Sequence, residues 1–542
     1  MIRKKIFISL VSLFFLTTYS FAGEPTAKLR VDQWHGGMVS NALNTSLEPN
    51  QFASMLNVEL SKLGEVSTRR GQALFIEDLG NTAFRGLGRF DPDKTTSYIV
   101  SASGQAVIQA QATDEKWTLT SPLSVLTSGK DTEFVQANDL LFVMNGFDRM
   151  HWWNGSNFTG GGIYPSSPPT ATTGAWLRNY LFVAGATSNE DWVYFSNNEN
   201  PLVFDSSDII KVNTGDGQAV VHLEPYRLNE LVVYKQRSIF VLDITGSTPL
   251  TDWTVQPISK VVGTIAPRSV VSLGNDQWFL SSEPIAIRSL VRSEFDKILV
   301  NIVSRPIQDI FDGTSDNFAI NKTHIDKAAA ILFDNKYLIA FPTGSSTVNN
   351  TVAVFNFITG GWYLITGWFP ADWVVFDNRL FYIDANDSRV IECFTGTSGD
   401  IGDSSVAGNS FFGTASTPSV GINFQVVSRG IEFDFPENFK ILDALEAEFG
   451  ATGEFYGNIF INLDDSNFAS IGSVKLSGDS RTLPLNLPFE LATAGVARDT
   501  FQTQKYGEFK KMQFKISNSA SQETVELHRV TLFPEIRPWR RR

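Results

Sequence analysis

The side chains best suited to gripping a metal or moving a proton are five histidines, His35, His151, His222, His324 and His528, and they lie far apart. None stands in HExxH or HxH spacing, which would set two imidazoles on one face of a helix or strand. No zinc site is expected from them. The motifs of nucleophilic and phosphate chemistry are missing as well: there is no GxSxG elbow, no GxxxxGK[ST] loop and no GxGxxG after a strand. Carboxylates are plentiful, but a glycosidase pair is defined by its separation in space, which sequence spacing does not reveal. Asp384-Ala-Asn-Asp-Ser and Asp464-Asp-Ser-Asn resemble pieces of calcium loops, yet neither has the glycine and distal glutamate that complete one. Both follow β patterns and read as hairpin turns. His151-Trp-Trp-Asn-Gly could stack a sugar, but aromatic pairs between adjacent sheets produce the same cluster. The one cysteine, Cys393, cannot form an intramolecular disulfide and sits in the apolar run Val390-Ile-Glu-Cys-Phe, which reads as a buried structural thiol. No catalytic residue, metal or cofactor is assigned, and the chain is expected not to be an enzyme.

The elements are more informative. A polar residue followed by a burst of β-formers returns seven times: Ser97-Tyr-Ile-Val, Asp139-Leu-Leu-Phe-Val, Asn179-Tyr-Leu-Phe-Val, Asn229-Glu-Leu-Val-Val-Tyr, Asp276-Gln-Trp-Phe-Leu, Asn335-Lys-Tyr-Leu-Ile and Asn378-Arg-Leu-Phe-Tyr-Ile. The starts are roughly 40 to 60 residues apart, the spacing of β-propeller blades. Most are followed by a second apolar run, such as Trp192-Val-Tyr-Phe or Val352-Ala-Val-Phe, as paired antiparallel strands require. One such unit cannot bury both faces alone, so the repeats predict a disc of packed sheets with six or seven blades. Tyr180, Phe182, Phe240, Phe279 and Phe381 should be its buried strand residues.

Composition agrees with large β cores. The 542-residue chain has 43 Phe, 12 Trp and 12 Tyr, with 41 Gly and 22 Pro for turns. Its formal charge of −13 argues against a surface that wraps nucleic acid, although an acidic or neutral wall would let DNA slide past without gripping it. Arg3-Lys4-Lys5, the apolar stretch from Ile6 to about Leu16, and the small residues before Gly23 follow the grammar of a bacterial secretory leader. The alternative is an uncleaved apolar arm docked on a partner.

These signals divide the chain into a leader (1–22), an N-terminal segment (23–75), a β-propeller (76–400) and a β-sandwich (401–542). In the N-terminal segment, Pro49 to Val58 reads as a short helix burying Phe52 and Leu56. Thr395 to Ser419 is Gly/Ser/Thr-rich and reads as a linker or long loop. Beyond it, Ile431-Glu-Phe-Asp-Phe, Ile459-Phe-Ile-Asn-Leu, Met512-Gln-Phe-Lys-Ile and Val525-Glu-Leu-His-Arg-Val alternate with a period of two, the mark of strands with one wet face. The chain closes on Pro538-Trp-Arg-Arg-Arg, a solvated basic tail or a contact for an acidic partner.

Several phrases occur in an order that resembles a known family. Gly36-Gly37-Met-Val-Ser-Asn-Ala-Leu-Asn-Thr, Leu47-Glu-Pro-Asn-Gln, Leu56-Asn-Val-Glu-Leu and Ser67-Thr-Arg-Arg-Gly resemble the opening of tailed-phage virion proteins. Asn179-Tyr-Leu-Phe-Val-Ala-Gly, Leu231-Val-Val-Tyr-Lys, Val262-Gly-Thr-Ile-Ala-Pro-Arg-Ser-Val and Trp278-Phe-Leu-Ser continue it. The group is that of propeller proteins at the end of the tail tube, similar to tail nozzle and packaged-DNA stabilisation proteins of short-tailed phages. The resemblance covers about residues 32–290 well and the rest loosely. It implies a ring, typically of six copies, located in the virion tail. The ring would sit against a portal or tail adaptor, retain packaged double-stranded DNA, and pass it at infection without sequence-specific contacts. It carries over no catalytic residues. The residues expected to serve assembly are Phe52, Leu56, Arg69 and Arg70. The apolar pair would dock, and the arginine forks would meet carboxylates across a subunit contact. The leader supports a different reading: an exported, periplasmic or secreted propeller that binds a surface glycan or envelope protein, or less readily a hydrolase.

Overall fold

A computed structural model describes residues 28–537, apart from 61–63, 77–83, 104–105, 112–117, 120–125, 157, 160–169, 247, 293–297, 387–388, 396–398, 402–418, 451, 453–454, 477–495 and 521–522. The leader, most of the Thr395–Ser419 stretch and the terminal Pro538–Arg542 lie outside the described residues. The fold is all-β. Among the described residues, no helix is long and apolar enough to cross a membrane.

Five sheets are each built from four consecutive antiparallel strands, within 84–119, 133–159, 173–211, 220–259 and 271–302. A sixth run of four strands spans 329–366, and its last strand continues into a wider sheet. Three more strands, Pro370–Phe376, Arg379–Asp384 and Val390–Cys393, take their fourth partner from the N-terminal segment, where Gln72–Ile76 pairs with Val390–Cys393. The first strands of successive sheets pack side by side, and Pro370–Phe376 returns to pack against Phe84–Phe90. This is a propeller-like arrangement of blades.

Each of the seven repeated phrases falls on the second strand of its sheet, for example Tyr180–Ala186, Lys336–Phe341 and Arg379–Asp384. In three of the seven repeats the polar residue before the burst has a backbone cause. Two-residue hairpins that match strand twist need positive φ at both central residues, which Asn and Asp tolerate best. Arg178 and Asn179, Asp334 and Asn335, and Asp377 and Asn378 all have φ between 46° and 65°. The burst itself follows from burial on both faces: every residue of Lys336–Phe341 is buried. Phe182, Phe240, Phe279 and Phe381 are buried as expected, whereas Tyr180, next to its turn, is only half-buried.

From Phe424 onward, the described strands are divided between two sheets. One contains Val58–Glu59, Val66–Thr68, Glu526–Ile536, Lys440–Gly450 and Val496–Gln502, with Leu29–Val31 along Glu526–Ile536. The other runs Phe52–Leu56, Phe424–Ser428, Met512–Asn518, Tyr456–Leu463 and Ala469–Lys475. Phe449, Ile516 and Leu532 from these sheets share one apolar cluster with Trp278, Tyr337 and Trp362 of the blades.

The expected helix at Pro49–Val58 is instead the strand Phe52–Leu56; the nearest helical turn is a short 3-10 turn at Asn44–Ser46. Two sheet edges compete for this segment. Leu56 pairs in parallel with Leu364, and Met55 and Leu56 pair antiparallel with Val426 and Gln425. A ten-residue helix is marginal and would leave both edges open. The misleading period has its own cause, since a register shift between Phe52 and Ser54 buries positions 52, 55 and 56 as a helix would. Strands of the N-terminal segment enter both of these sheets, and Gln72–Ile76 pairs with Val390–Cys393.

Phe182 is fully buried, with ring centroids 5.8 Å from Trp253 and 6.2 Å from Phe195. Phe182→Ala is expected to cost about 3–5 kcal/mol, read from urea unfolding. A cost below about 1 kcal/mol would contradict this packing.

Candidate functional site

Of the four residues expected to serve assembly, three are consumed inside the chain. Phe52 stacks on Trp34 with centroids 5.1 Å apart, and Leu56 is 6% exposed. Arg69, just past the Val66–Thr68 strand, is 0% exposed. Its Nε donates to Asn57 Oδ1 at 3.0 Å. Nη1 donates to the Arg70 carbonyl at 3.1 Å and to Asp400 Oδ1 at 2.9 Å. Nη2 donates to the Thr366 carbonyl at 3.1 Å and to Asp400 Oδ2. All five N–H donors of a guanidinium are thereby used. The Trp368 ring lies 4.7 Å from the guanidinium carbon, and its Nε1 donates to Asp400 Oδ1 at 3.3 Å. Asn57, at φ 53°, ends the Phe52–Leu56 strand and sends its amide to Thr366 Oγ1 and the Asn423 carbonyl. The carboxylate predicted for the arginine fork is real, but it belongs to the same chain. Only Arg70 is exposed.

Cys393 is buried nearby, and burial pushes its thiol well above the usual range, in keeping with a structural role. His151-Trp-Trp is a strand rather than a platform: Trp153 packs 5.0 Å from Phe90 and 5.1 Å from Tyr98 of the preceding sheet. Asp464 and Asp465 take positive φ in the turn between Tyr456–Leu463 and Ala469–Lys475, as a hairpin requires.

A second cluster forms where the first strands converge. Glu133, Thr173, His222 with Glu224, and Asp372 come from the first strands of four different sheets, and Arg268 from the 3-10 turn leading into a fifth. His222 Nε2 lies 3.3 Å from Glu224 Oε2, and Nδ1 lies 3.3 Å from Thr173 Oγ1 and 3.9 Å from Glu133. Ser272 Oγ donates to Glu224 at 2.8 Å. Arg268 pairs with Asp372 at 3.3 Å and donates to the Thr132 carbonyl at 3.4 Å, so one side chain joins non-adjacent sheets. Asp372 also accepts from the Leu87 amide at 3.0 Å. Burial pushes the Glu133 and Asp372 carboxyls up, while His222 and Arg268 pull Glu133 down and Arg268 pulls Asp372 down. For His222, burial opposes the charge, but the Glu224 hydrogen bond and the Glu133 charge outweigh it, and its value is raised. The cluster can hold a proton between a histidine and two carboxylates. Of this set, His222 stands out in the sequence only as an isolated histidine and Arg268 only inside an apolar phrase, and nothing local marks Asp400, Glu133, Glu224 or Asp372.

Two pockets lie elsewhere. One of about 650 Å³ is lined by Leu273, Leu332, Phe357 and Val375 at hairpin turns, and one of about 710 Å³ by Arg237, Ile265, Pro284, Phe311 and Lys322.

No protein-family model matches the chain, and no curated protein matches it. Among solved structures it is similar to the computationally designed Ika8 protein, at 10% identity over 60% of this chain and 100% of that one, with TM-score 0.36. It is also similar to YCF48 from Cyanidioschyzon merolae, at 13% identity over 60% and 99% of the two chains, TM-score 0.38. A third is BamB from Moraxella catarrhalis, at 9% identity over 61% and 98%, TM-score 0.35. At such identity the likeness concerns the fold alone.

Two outcomes are expected. Arg69→Met strips a buried carboxylate of its partner and should cost about 3–5 kcal/mol, whereas Arg70→Ala should stay within about 0.5 kcal/mol. Equal unfolding midpoints for the two variants would contradict the junction. For pH the sign follows from the raised values of His222 and Glu133: the folded state binds these protons more tightly than the unfolded state. Their contribution is whole below the ordinary values and is lost as pH rises through the folded ones. Stability should therefore begin to fall above about pH 4.5 for the Glu133 part and above about pH 6.5 for the His222 part, and His222→Gln should flatten the slope above about pH 6.5. An unchanged slope in the variant, measured by urea midpoints, would remove His222 as its source.

Proposed function

We propose that this chain is a structural subunit of a ring at the end of the portal–tail channel of a tailed phage. It would be a seven-bladed propeller rigidly joined to a β-sandwich. The seven-blade reading is supported by the cyclic packing of first strands from Phe84–Phe90 round to Pro370–Phe376, with Gln72–Ile76 closing the last blade. The sandwich reading is supported by two sheets sharing one apolar core.

One observation carries the functional reading: N-terminal phrases that resemble the phage proteins are the stitches between the two parts. Gly37 has φ 68°, and a Cβ there would come within 2.6 Å of Gly361 in a blade. The next amide, Met38, donates to the Trp362 carbonyl at 2.7 Å. Ser40 and Asn41 donate to the Pro306 carbonyl at 2.9 and 3.0 Å. Leu56-Asn57 and Arg69 build the buried junction. A part that must hold position in a ring under the pressure of packaged DNA benefits from such rigidity. The propeller axis, crossed by the Arg268–Asp372 pair, is no conduit in this reading, and DNA passes between subunits.

The second reading, an exported propeller that binds an envelope partner, rests on the leader and on the pocket edged by Arg237 and Lys322. Electron microscopy and light scattering of the full-length protein separate the two. Closed rings, with six copies the expected number, and an intact Met1 in virions are predicted. A strict monomer missing from virions, with its N-terminus near Gly23 in a periplasmic fraction, would overturn the ring and favour the exported protein.

A further inference from the structure

Away from both clusters, Glu65, Glu526 and His528 bring one ligand atom each to within 4.8 Å of one another. The backbone explains the convergence. Val66 pairs with Leu527 and Ser67 with Glu526, so the ladder continued by one residue sets Glu65 opposite His528. The other neighbouring strand is out of step, with Glu448 facing Arg529 and Phe449 facing Leu527. His528 is therefore the extra residue of a bulge, a device that re-aims a side chain. Burial gives the direction: Leu527 and Val530 are fully buried, while Glu65, Glu526 and His528 are half-buried. The apolar residues face the core and the three ligands face outward together. The bulge is held in place, because Trp34 Nε1 donates to the His528 carbonyl at 3.1 Å. Room for the carboxylate is provided by Gly450, where a Cβ would come within 2.8 Å of Glu526 Oε2. His528 Nε2 and Glu526 Oε1 are 3.1 Å apart.

We propose that Glu65, Glu526 and His528 form a three-ligand site for a divalent transition-metal cation, with zinc the best match. One imidazole and two carboxylates are a borderline donor set, and three protein ligands leave a fourth position for water or an anion. Zinc–ligand distances of about 2.0–2.2 Å place tetrahedral donors about 3.4 Å apart. The His528–Glu526 pair, at 3.1 Å, is close to that spacing, and the other separations, all within 4.8 Å, ask for a side-chain movement of at most about 1.4 Å. A bound cation would clip the N-terminal segment, through Glu65, to the last strand of the chain, Glu526–Ile536. The proposal is independent of the phage reading.

The test is calorimetric titration of the full-length, chelator-treated protein with zinc chloride, together with thermal melts. Saturable binding of one zinc per chain is expected, with a raised Tm, and magnesium at the same concentration should give no shift. His528→Asn and Glu65→Gln should each weaken zinc binding at least about ten-fold, the scale of losing a ligand or its support, while melting like the parent in chelator. Should His528→Asn fold poorly, Glu65→Gln decides alone. Absence of saturable binding, an equal response to magnesium, or unchanged zinc affinity in Glu65→Gln would overturn the site, the last meaning that other side chains hold the metal.

Discussion

The rest of the molecule depends on one constraint: a guanidinium buried to 0% exposure must find an acceptor for every N–H. Arg69 meets it with the neighbouring Arg70 carbonyl and with acceptors from three other stretches of chain, at Asn57, Thr366 and Asp400. Satisfying one cation therefore fixes three paths at once. The Phe52–Leu56 strand must end at Asn57, the blade strand Gly361–Thr366 must end beside it, and the chain leaving the last blade must return through Asp400. Three residues after Arg69, Gln72–Ile76 begins to close the last blade. Ring closure and the joint to the second pair of sheets thus share one anchor.

Burial decides which charges matter. Arg498–Glu448 and Arg537–Glu508 are also ion pairs, but at 49% and 43% exposure of the arginines they face water and contribute little. The Arg69–Asp400 pair is buried and the axial Arg268–Asp372 pair is partly so, and each joins stretches of chain far apart in the sequence. The core supplies the bulk of the cohesion, with Trp362 and Leu364 in the same cluster as Leu445 and Phe514. The buried polar groups select the geometry.

Much of this was legible in the sequence, for physical reasons. Second strands buried on both faces leave continuous apolar runs, and three of the tight turns before them favour Asn or Asp through positive φ, so the repeats announced themselves. The Phe52–Leu56 strand was not legible, because its register shift imitates a helical period and its partners lie some 300 and 370 residues away. Arg69 could be singled out as a fork in search of a carboxylate, yet nothing local marks Asp400 as that carboxylate. The axial cluster was hidden for the same reason, since Glu133, His222, Arg268 and Asp372 meet only when the ring closes. Glu526-Leu-His528 likewise carries no paired-histidine spacing, and the third member of its cluster, Glu65, comes from the opposite end of the chain.

Through the Arg69 junction, the blades and the second pair of sheets should unfold as one cooperative body. Native-state hydrogen exchange tests it most directly. The account predicts that amides of Phe52–Leu56, Gln72–Ile76 and Glu526–Ile536 exchange through the same global opening, with the same denaturant dependence, as those of Tyr180–Ala186 in the blades. Exchange of Gln72–Ile76 and Glu526–Ile536 through a separate opening of much lower free energy, with Tyr180–Ala186 still protected, would contradict it.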